Sequence, residues 1–277
     1  MQTPANCTAG NVALLRAAHQ LLEGGSIFPD PLAIPILGQS AETLREVGGR
    51  PEVRLLRLFV ASRSRFAEDR LALAVDRGVR QAVVLGAGLD TFGLRNPHAR
   101  KGLRVFEADR PATQQWKRAC LAKANLPIPG WLSFAAVDFE RQAWIEALAA
   151  AGFNPRAPAF FTWLGVVPYL SRDAIFATLS SIASIPDAEV VFDYGEPPES
   201  YRPERRAGYE AMIARAAAAG EPWLSFFNPA ELRFALSRLG FGDIEDLAPT
   251  EVAARYGVQR DPDAPGGHVV RVRRIGG

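Results

Sequence analysis

The sequence predicts an α/β domain built on a mostly parallel sheet, and three observations carry that prediction. Apolar runs near 81–85, 103–108, 132–137, 158–164 and 188–194 have the length and continuity of strands buried on both faces. Stretches with helical spacing near 111–124, 141–151 and 171–185 lie between them, the β-α alternation of parallel sheets. The first run, within "RQAVVLGAGLDTFGLR" (Arg80 to Arg95), passes straight into Gly-Ala-Gly. Such a strand ends in a loop whose backbone must come close to something.

Taken in order, Val12, Leu14, Leu15, Ala18, Leu21 and Leu22 recur at helical spacing, and Gly24-Gly25 close this first helix. "IFPDPLAIPIL" carries 3 prolines in 11 residues, which excludes a long helix or a central strand. It is expected to be irregular, packed by Ile27, Phe28, Leu32 and Ile36, and to form part of a lid. From Glu52 to Asp76 the leucines, Phe59 and Phe66 keep helical register, as one long helix or two successive ones. Five consecutive strands follow, with helical stretches between them. Pro197, Pro198 and Pro203, then an alanine-rich helix, break the rhythm and mark 196–227 as an insertion over the active edge of the sheet. Asn228 is placed to cap a helix with Pro229 at its first position. "FGDIEDL" and "GGHVVRVRRI" close the chain as two strands, and the alternation in "HVVRVRR" predicts an antiparallel edge pair with one wetter face. No repeat or composition break divides the chain, so 1–277 reads as a single domain with 1–50 as an N-terminal lid segment.

The composition excludes several function classes. Thirty-two Lys plus Arg against 30 Asp plus Glu leave a net charge of +2 with no basic run, so no nucleic-acid footprint is expected. Cys7 and Cys120 lack the spacing of a zinc site, and neither a disulfide nor a metal is assigned. There is no basic start followed by an apolar run and no stretch of about 18 uninterrupted apolar residues. The expectation is a cytoplasmic protein with a small-molecule substrate and no membrane partner.

In a doubly wound sheet the ligand lies beyond the carboxyl ends of the strands, where Gly86 and Gly88 stand. "LRVFEAD" ends in Glu107 and Asp109, about twenty residues after the first glycine, where a carboxylate can accept from ribose hydroxyls. The third glycine of a dinucleotide fingerprint is replaced by Thr91. A nucleoside cofactor without pyrophosphate therefore fits better, and S-adenosylmethionine is one.

"RQAVVLGAGLDTFGLR", "VFEADRPATQQWKRACL", "AAVDFERQAWIEAL" and "FFTWLGVVPYL" together resemble the leucine carboxyl methyltransferase-like family of S-adenosylmethionine-dependent methyltransferases, in its bacterial O-methyltransferase-like branch. The resemblance runs from "RAAHQLL" and "DPLA" to Asp193. It implies a class I methyltransferase (Rossmann-like) fold, a seven-stranded mostly parallel sheet with helices on both faces and the last two strands as a closing pair.

The resemblance also assigns roles. Arg63 would pair with the methionyl carboxylate of the cofactor, as a planar guanidinium can through two hydrogen bonds. Gly86 and Gly88 would lie against the methionyl part. Asp109 would hold the ribose, with Glu107 as the alternative, and Asp138 would accept from the adenine amino group while the amide of Phe139 reaches a ring nitrogen. Asp138 could equally cap the following helix. Arg95 would order the glycine loop or meet an anionic substrate. The chain departs from the family at Leu164, where many relatives carry Glu in "E-G-L-x-x-Y-L".

Methyl transfer is an in-line displacement, so the protein's tasks are to place the acceptor and exclude water. A carboxylate acceptor needs no base, whereas a hydroxyl needs one. Tyr169 and Tyr194 are candidate substrate contacts, with Glu196 and Trp223 as weaker ones; His19, His98 and His268 read as structural. The leading reading is an O-methyltransferase acting on a small molecule's hydroxyl or carboxylate. The alternatives are an NAD-dependent oxidoreductase, disfavoured by Thr91 and the lack of a Tyr-x-x-x-Lys pair, and a non-catalytic S-adenosylmethionine-binding protein, motivated by Leu164.

Overall fold

The computed structural model describes residues 4–138, 144–218 and 220–274, with 4–7 as backbone alone. Its centre is a seven-stranded sheet of β1 (Gln81–Leu85), β2 (Arg104–Asp109), β3 (Leu132–Ala136), β4 (Phe160–Trp163), β5 (Glu189–Gly195), β6 (Phe241–Leu247) and β7 (Gly267–Arg274), in the order β3-β2-β1-β4-β5-β7-β6. β1 to β5 pair in parallel, while β7 runs antiparallel to both β5 and β6.

The strand residues alternate between two cores, as the period of two requires. Val83 and Leu85 of β1 join Phe106, Phe161 and Phe192 on one face. That face is covered by α7 (Trp144–Ala150), α8 (Arg172–Ala183) and α10 (Pro229–Arg238), which contribute Leu148, Leu179 and Leu236. Ala82 and Val84 face the other way, onto Phe66, Leu71 and Val75 of α4 (Arg54–Asp76), a single long helix, and Val252 of α11 (Pro249–Arg255). Asn228 caps α10 as expected, its side chain accepting from the amides of Ala230 and Glu231.

The last two strands form the expected antiparallel pair at one edge of the sheet, with β6 outermost, but the face of β7 that reads as wet is covered. Arg271 is buried because its guanidinium meets Glu189 at 2.7 Å and Asp243 at 2.6 Å, and Glu189 also pairs with Arg77 at the end of α4. Arginine at alternate positions here reports ion pairing across neighbouring strands rather than solvent.

Three further helices, α1 (Pro4–Leu22), α2 (Ala33–Leu37) and α3 (Ala41–Gly48), form the N-terminal layer. α1 ends before Gly24 and Gly25, both at positive φ, and α2 is only five residues long within the proline-rich stretch. Phe28 and Ile36 are buried there. The insertion contains α9 (Pro203–Ala218), and the segment after it is tied down. Leu224 N donates to Pro168 O at 2.6 Å, Ser225 Oγ to Leu170 O at 2.6 Å and Phe227 N to Gly195 O at 3.0 Å. The segment after α9 therefore reaches the carboxyl ends of β4 and β5. Among the described residues no helix is long and apolar enough to cross a membrane, and no group of three or more His, Cys, Asp or Glu could hold a metal ion.

Candidate active site

A cavity of about 300 Å³ opens at the carboxyl ends of β1, β2 and β4, beneath α1 and the segment following α9. Its floor is the glycine loop. Gly86 and Gly88 have φ of +66° and +47°, a conformation that L side chains rarely adopt. The structure also shows what sits on them: a Cβ on Gly86 would overlap Val166 Cγ2, and one on Gly88 would lie 2.9 Å from Ala9 Cβ of α1. The glycines thus let two cavity walls close on the loop. Gly86→Ala is expected to cost about 1–2 kcal/mol, since the left-handed conformation is strained and Val166 must move; an unchanged unfolding midpoint in urea would contradict this.

Asp109 lines the cavity beside the loop, its Oδ2 accepting from Gly88 N at 2.7 Å and its Oδ1 from Arg110 N at 2.7 Å. Each carboxylate oxygen retains a further lone pair. Burial raises the Asp109 pKa, and the two amides pull the other way. Glu107, two residues earlier on the same strand face, does not reach the cavity. It is fully buried, paired with Lys117 of α6 (Pro111–Lys123) at 2.5 Å, and roofed by Gly93, where a Cβ would come 2.7 Å from its Oε1. Lys117 also donates to Asp90 O of the glycine loop. Between the two carboxylates proposed for the ribose, geometry separates the roles: Asp109 faces the ligand space, and Glu107 supports the loop from below.

Arg63, on α4, is buried at the opposite end of the cavity. Its Nη1 donates to Asp193 Oδ2 at 2.7 Å, and Asp193 Oδ1 accepts from Gly165 N at 2.6 Å. Its Nε is buried without a partner. A Cβ on Gly165 would stand 2.7 Å from Arg63 Nη2, so the glycine, at φ +70°, leaves the guanidinium uncovered. Leu164 lines the same wall and packs against the α4 core, supplying an apolar surface there.

Other candidates stand elsewhere. Asp138 follows β3, half-buried and outside the cavity lining, and Phe139 lies outside the described residues. Arg95 orders the loop: its Nε donates to Thr91 Oγ1 at 3.0 Å and its Nη2 to Glu68 at 2.5 Å. Thr91 Oγ1 in turn lies 2.7 Å from the fully buried Asp30 carboxylate of "DPLA", so the residue at the third glycine position ties the N-terminal layer to the loop. Tyr169 lines the cavity; Trp223 does not.

Tyr194 does not line the cavity. It is buried, donating to Asp246 Oδ2 at 2.6 Å and stacked on His268 at 4.7 Å between centroids. His268 in turn meets Asp246 and Glu196, each at 3.1 Å, so Glu196 is engaged there as well. Burial opposes protonation of His268, but the two carboxylates outweigh it and raise its pKa above 6.5. Its contribution to stability is therefore complete below the unfolded pKa of 6.5 and lost as pH rises through the higher folded value. Comparing His268→Gln with wild type by urea unfolding, the stability gap is expected to shrink by on the order of 1 kcal/mol between pH 6 and pH 9. A gap independent of pH would overturn this. His19 is structural: its Nε2 accepts from the amides of Ile27 and Phe28 at 3.3 Å. His98 lies in a loop away from the cavity.

Several residues of the site are not singled out by sequence reasoning. Asp193, an acid at a strand's carboxyl end like Asp109, is detectable by that rule. Arg16 lines the cavity but is consumed by Asp90 at 2.9 Å and Leu89 O at 2.7 Å, and no local pattern marks it. Lys117 and Glu221 likewise emerge from the tertiary structure alone.

A glycine loop at the strand ends, a ribose-competent carboxylate on one side and a partly unpartnered guanidinium on the other define a Rossmann-like α/β protein with a nucleoside-cofactor site. The chain belongs to the leucine carboxyl methyltransferase family, whose model matches residues 9–183. A protein of Bacillus subtilis (strain 168) named "Putative S-adenosyl-L-methionine-dependent methyltransferase YktD" is 37% identical over 193 residues, 69% of this chain and 63% of that one. The chain thus matches less than two thirds of that relative's length. A Saccharopolyspora erythraea protein named "Putative S-adenosyl-L-methionine-dependent methyltransferase" is 31% identical over 264 residues, 92% of this chain and 84% of that one. In fold, the chain is similar to the crystal structure of a "putative methyltransferase" from Thermobifida fusca YX, with TM-score 0.59 and 17% identity over 95% of this chain and 94% of that one. The seven-stranded sheet is the methyltransferase fold.

Proposed function

We propose that the protein is an S-adenosylmethionine-dependent methyltransferase that acts on an oxygen of a small molecule, a hydroxyl or a carboxylate. The observation that carries the reading is Arg63. A buried guanidinium with one nitrogen fixed by Asp193, an orphan Nε and an uncovered Nη2 at the cavity wall is prepared for a second carboxylate, and the methionyl end of the cofactor has one. Asp109, Gly86, Gly88 and Leu164 line the same cavity; in this reading Asp109 would take the ribose hydroxyls, the glycine loop the link between them, and Leu164 an apolar contact. Asp138 and Phe139 would take the adenine, on the strength of the family resemblance. The bound cofactor supplies an activated methyl group. The chain's own work is to orient the acceptor and keep water out, which the two lid segments are placed to do.

Calorimetric titration of the full chain tests the reading. S-adenosylmethionine is expected to bind in the micromolar range and NAD not to bind. Binding of NAD alone would replace the reading with a dehydrogenase-type one.

A further inference from the structure

The cavity has a third wall that the cofactor residues do not occupy. It is built from Ala9 and Val12 of α1, Val166 after β4, and Pro222 and Leu224 of the insertion, all apolar. Three polar side chains interrupt it, Thr8, Tyr169 and Glu221. The bonds of Leu224 and Ser225 to the 168–170 turn hold this part of the insertion across from Tyr169. Tyr169, Glu221 and Arg63 line the same cavity.

Three carboxylates line the cavity among the described residues, and in two of them both oxygens already accept a hydrogen bond. Asp90 accepts from Arg16 and from Phe92 N, and Asp109 accepts from two main-chain amides. Glu221 differs: its Oε1 accepts from Thr8 N at 2.8 Å, and its second oxygen has no recorded donor. The cations offer nothing to an anionic acceptor on this wall. Arg16 is consumed, Arg63 faces the methionyl end, and Arg110 follows Asp109 at the nucleoside end. None of the three histidines lines the cavity.

We propose that the acceptor is an apolar molecule bearing a hydroxyl rather than a carboxylate, and that Glu221 is the general base that accepts the hydroxyl proton. The inference rests on the methyl-transfer reading and names the substrate class of the same site. As the acceptor oxygen forms its bond to the methyl carbon, the carbon–sulfur bonding pair returns to sulfur and the O–H proton passes to Glu221 Oε2. A carboxylate acceptor would instead face Glu221 with no cation to offset the repulsion. Burial raises the Glu221 carboxyl above its ordinary range, against the pull of the Thr8 amide.

The test uses the full chain with matched probes, 1-naphthol and 1-naphthoate, titrated calorimetrically with saturating S-adenosylhomocysteine, on wild type and Glu221→Gln. Glutamine keeps an oxygen for Thr8 N but cannot take a proton, so the insertion stays in place. Naphthol is expected to bind wild type about tenfold or more tighter than naphthoate, and Glu221→Gln to close most of that gap by admitting naphthoate. With S-adenosylmethionine, the rate of naphthol methylation is expected to fall about 100-fold in Glu221→Gln while the naphthol dissociation constant changes only a few-fold. Naphthoate binding wild type as well as naphthol, no binding of either probe, no methylation of naphthol by wild type, or an unchanged rate in Glu221→Gln would each overturn the inference. Failure of S-adenosylhomocysteine itself to bind would overturn the methyl-transfer reading instead.

Discussion

Arg63→Ala is expected to raise the dissociation constant for S-adenosylhomocysteine by about 100-fold or more, equivalent to about 3 kcal/mol. Two losses combine. The charge-assisted hydrogen bonds from the guanidinium to the cofactor carboxylate disappear, and Asp193 is left buried with Gly165 N as its remaining donor among the recorded bonds. An uncompensated buried carboxylate either protonates or draws in water, and both disturb the wall that Gly165 forms. Arg63→Lys keeps the charge but not the fork, because one ammonium cannot address Asp193 and a second carboxylate with the same geometry, so an intermediate loss of about tenfold is expected. Calorimetry on protein whose circular dichroism matches wild type separates affinity from folding. Wild-type affinity in Arg63→Ala would show that the guanidinium is structural and that the cofactor carboxylate is held elsewhere.

Lys117→Met is expected to destabilise the fold by about 3–5 kcal/mol, measured by urea unfolding, because it strips the cation from a fully buried carboxylate. Glu107 keeps no compensating partner, since its Oε1 is already buried without one. The double variant Lys117→Met with Glu107→Leu is expected to recover most of the loss, as replacing both members of a buried pair often costs little. A pH signature accompanies the pair. Burial pushes the Glu107 carboxyl up to about 7 against the pull of Lys117, from an ordinary 4.5. Between those values the folded state holds a proton that the unfolded state has released, so this group's contribution to stability falls as pH rises through the window. Wild type is therefore expected to lose stability relative to Glu107→Gln between about pH 5 and pH 7.5. Equal stability of Lys117→Met and wild type, or a gain of wild type over Glu107→Gln with rising pH, would refute the account.

Much of the fold is legible because its signals are local. A strand buried on both faces reads as a near-continuous apolar run, and "AVVL", "VVF" and their counterparts are such runs, so the strands fall within one or two residues of their expected bounds. Gly24-Gly25 and Asn228-Pro229 announce helix ends through backbone requirements that few other residues meet. Within the site, Gly86, Gly88 and Asp109 are legible for the same reason: they stand at strand ends whose position the apolar pattern sets.

The burial of the last strand is different. "HVVRVRR" has the alternation of a strand with one wet face, yet Arg271 is buried because Glu189 lies 82 residues earlier in the chain and beside it in the sheet. The same physics hides the partners of the site. Arg63 and Asp193 are 130 residues apart, and Glu221 meets Thr8 across 213. Glu107 and Asp109 are equivalent in sequence, both acids at the end of one strand, and only the packing of Gly93 and Lys117 decides which faces the ligand.

By itself, then, the sequence determined where the strands and the nucleotide-type loop lie, because strand burial and glycine conformation depend on neighbours along the chain. The tertiary structure decided which charged side chains are consumed by one another and which stay open to a ligand. That depends on desolvation and pairing between residues that meet only when the sheet closes.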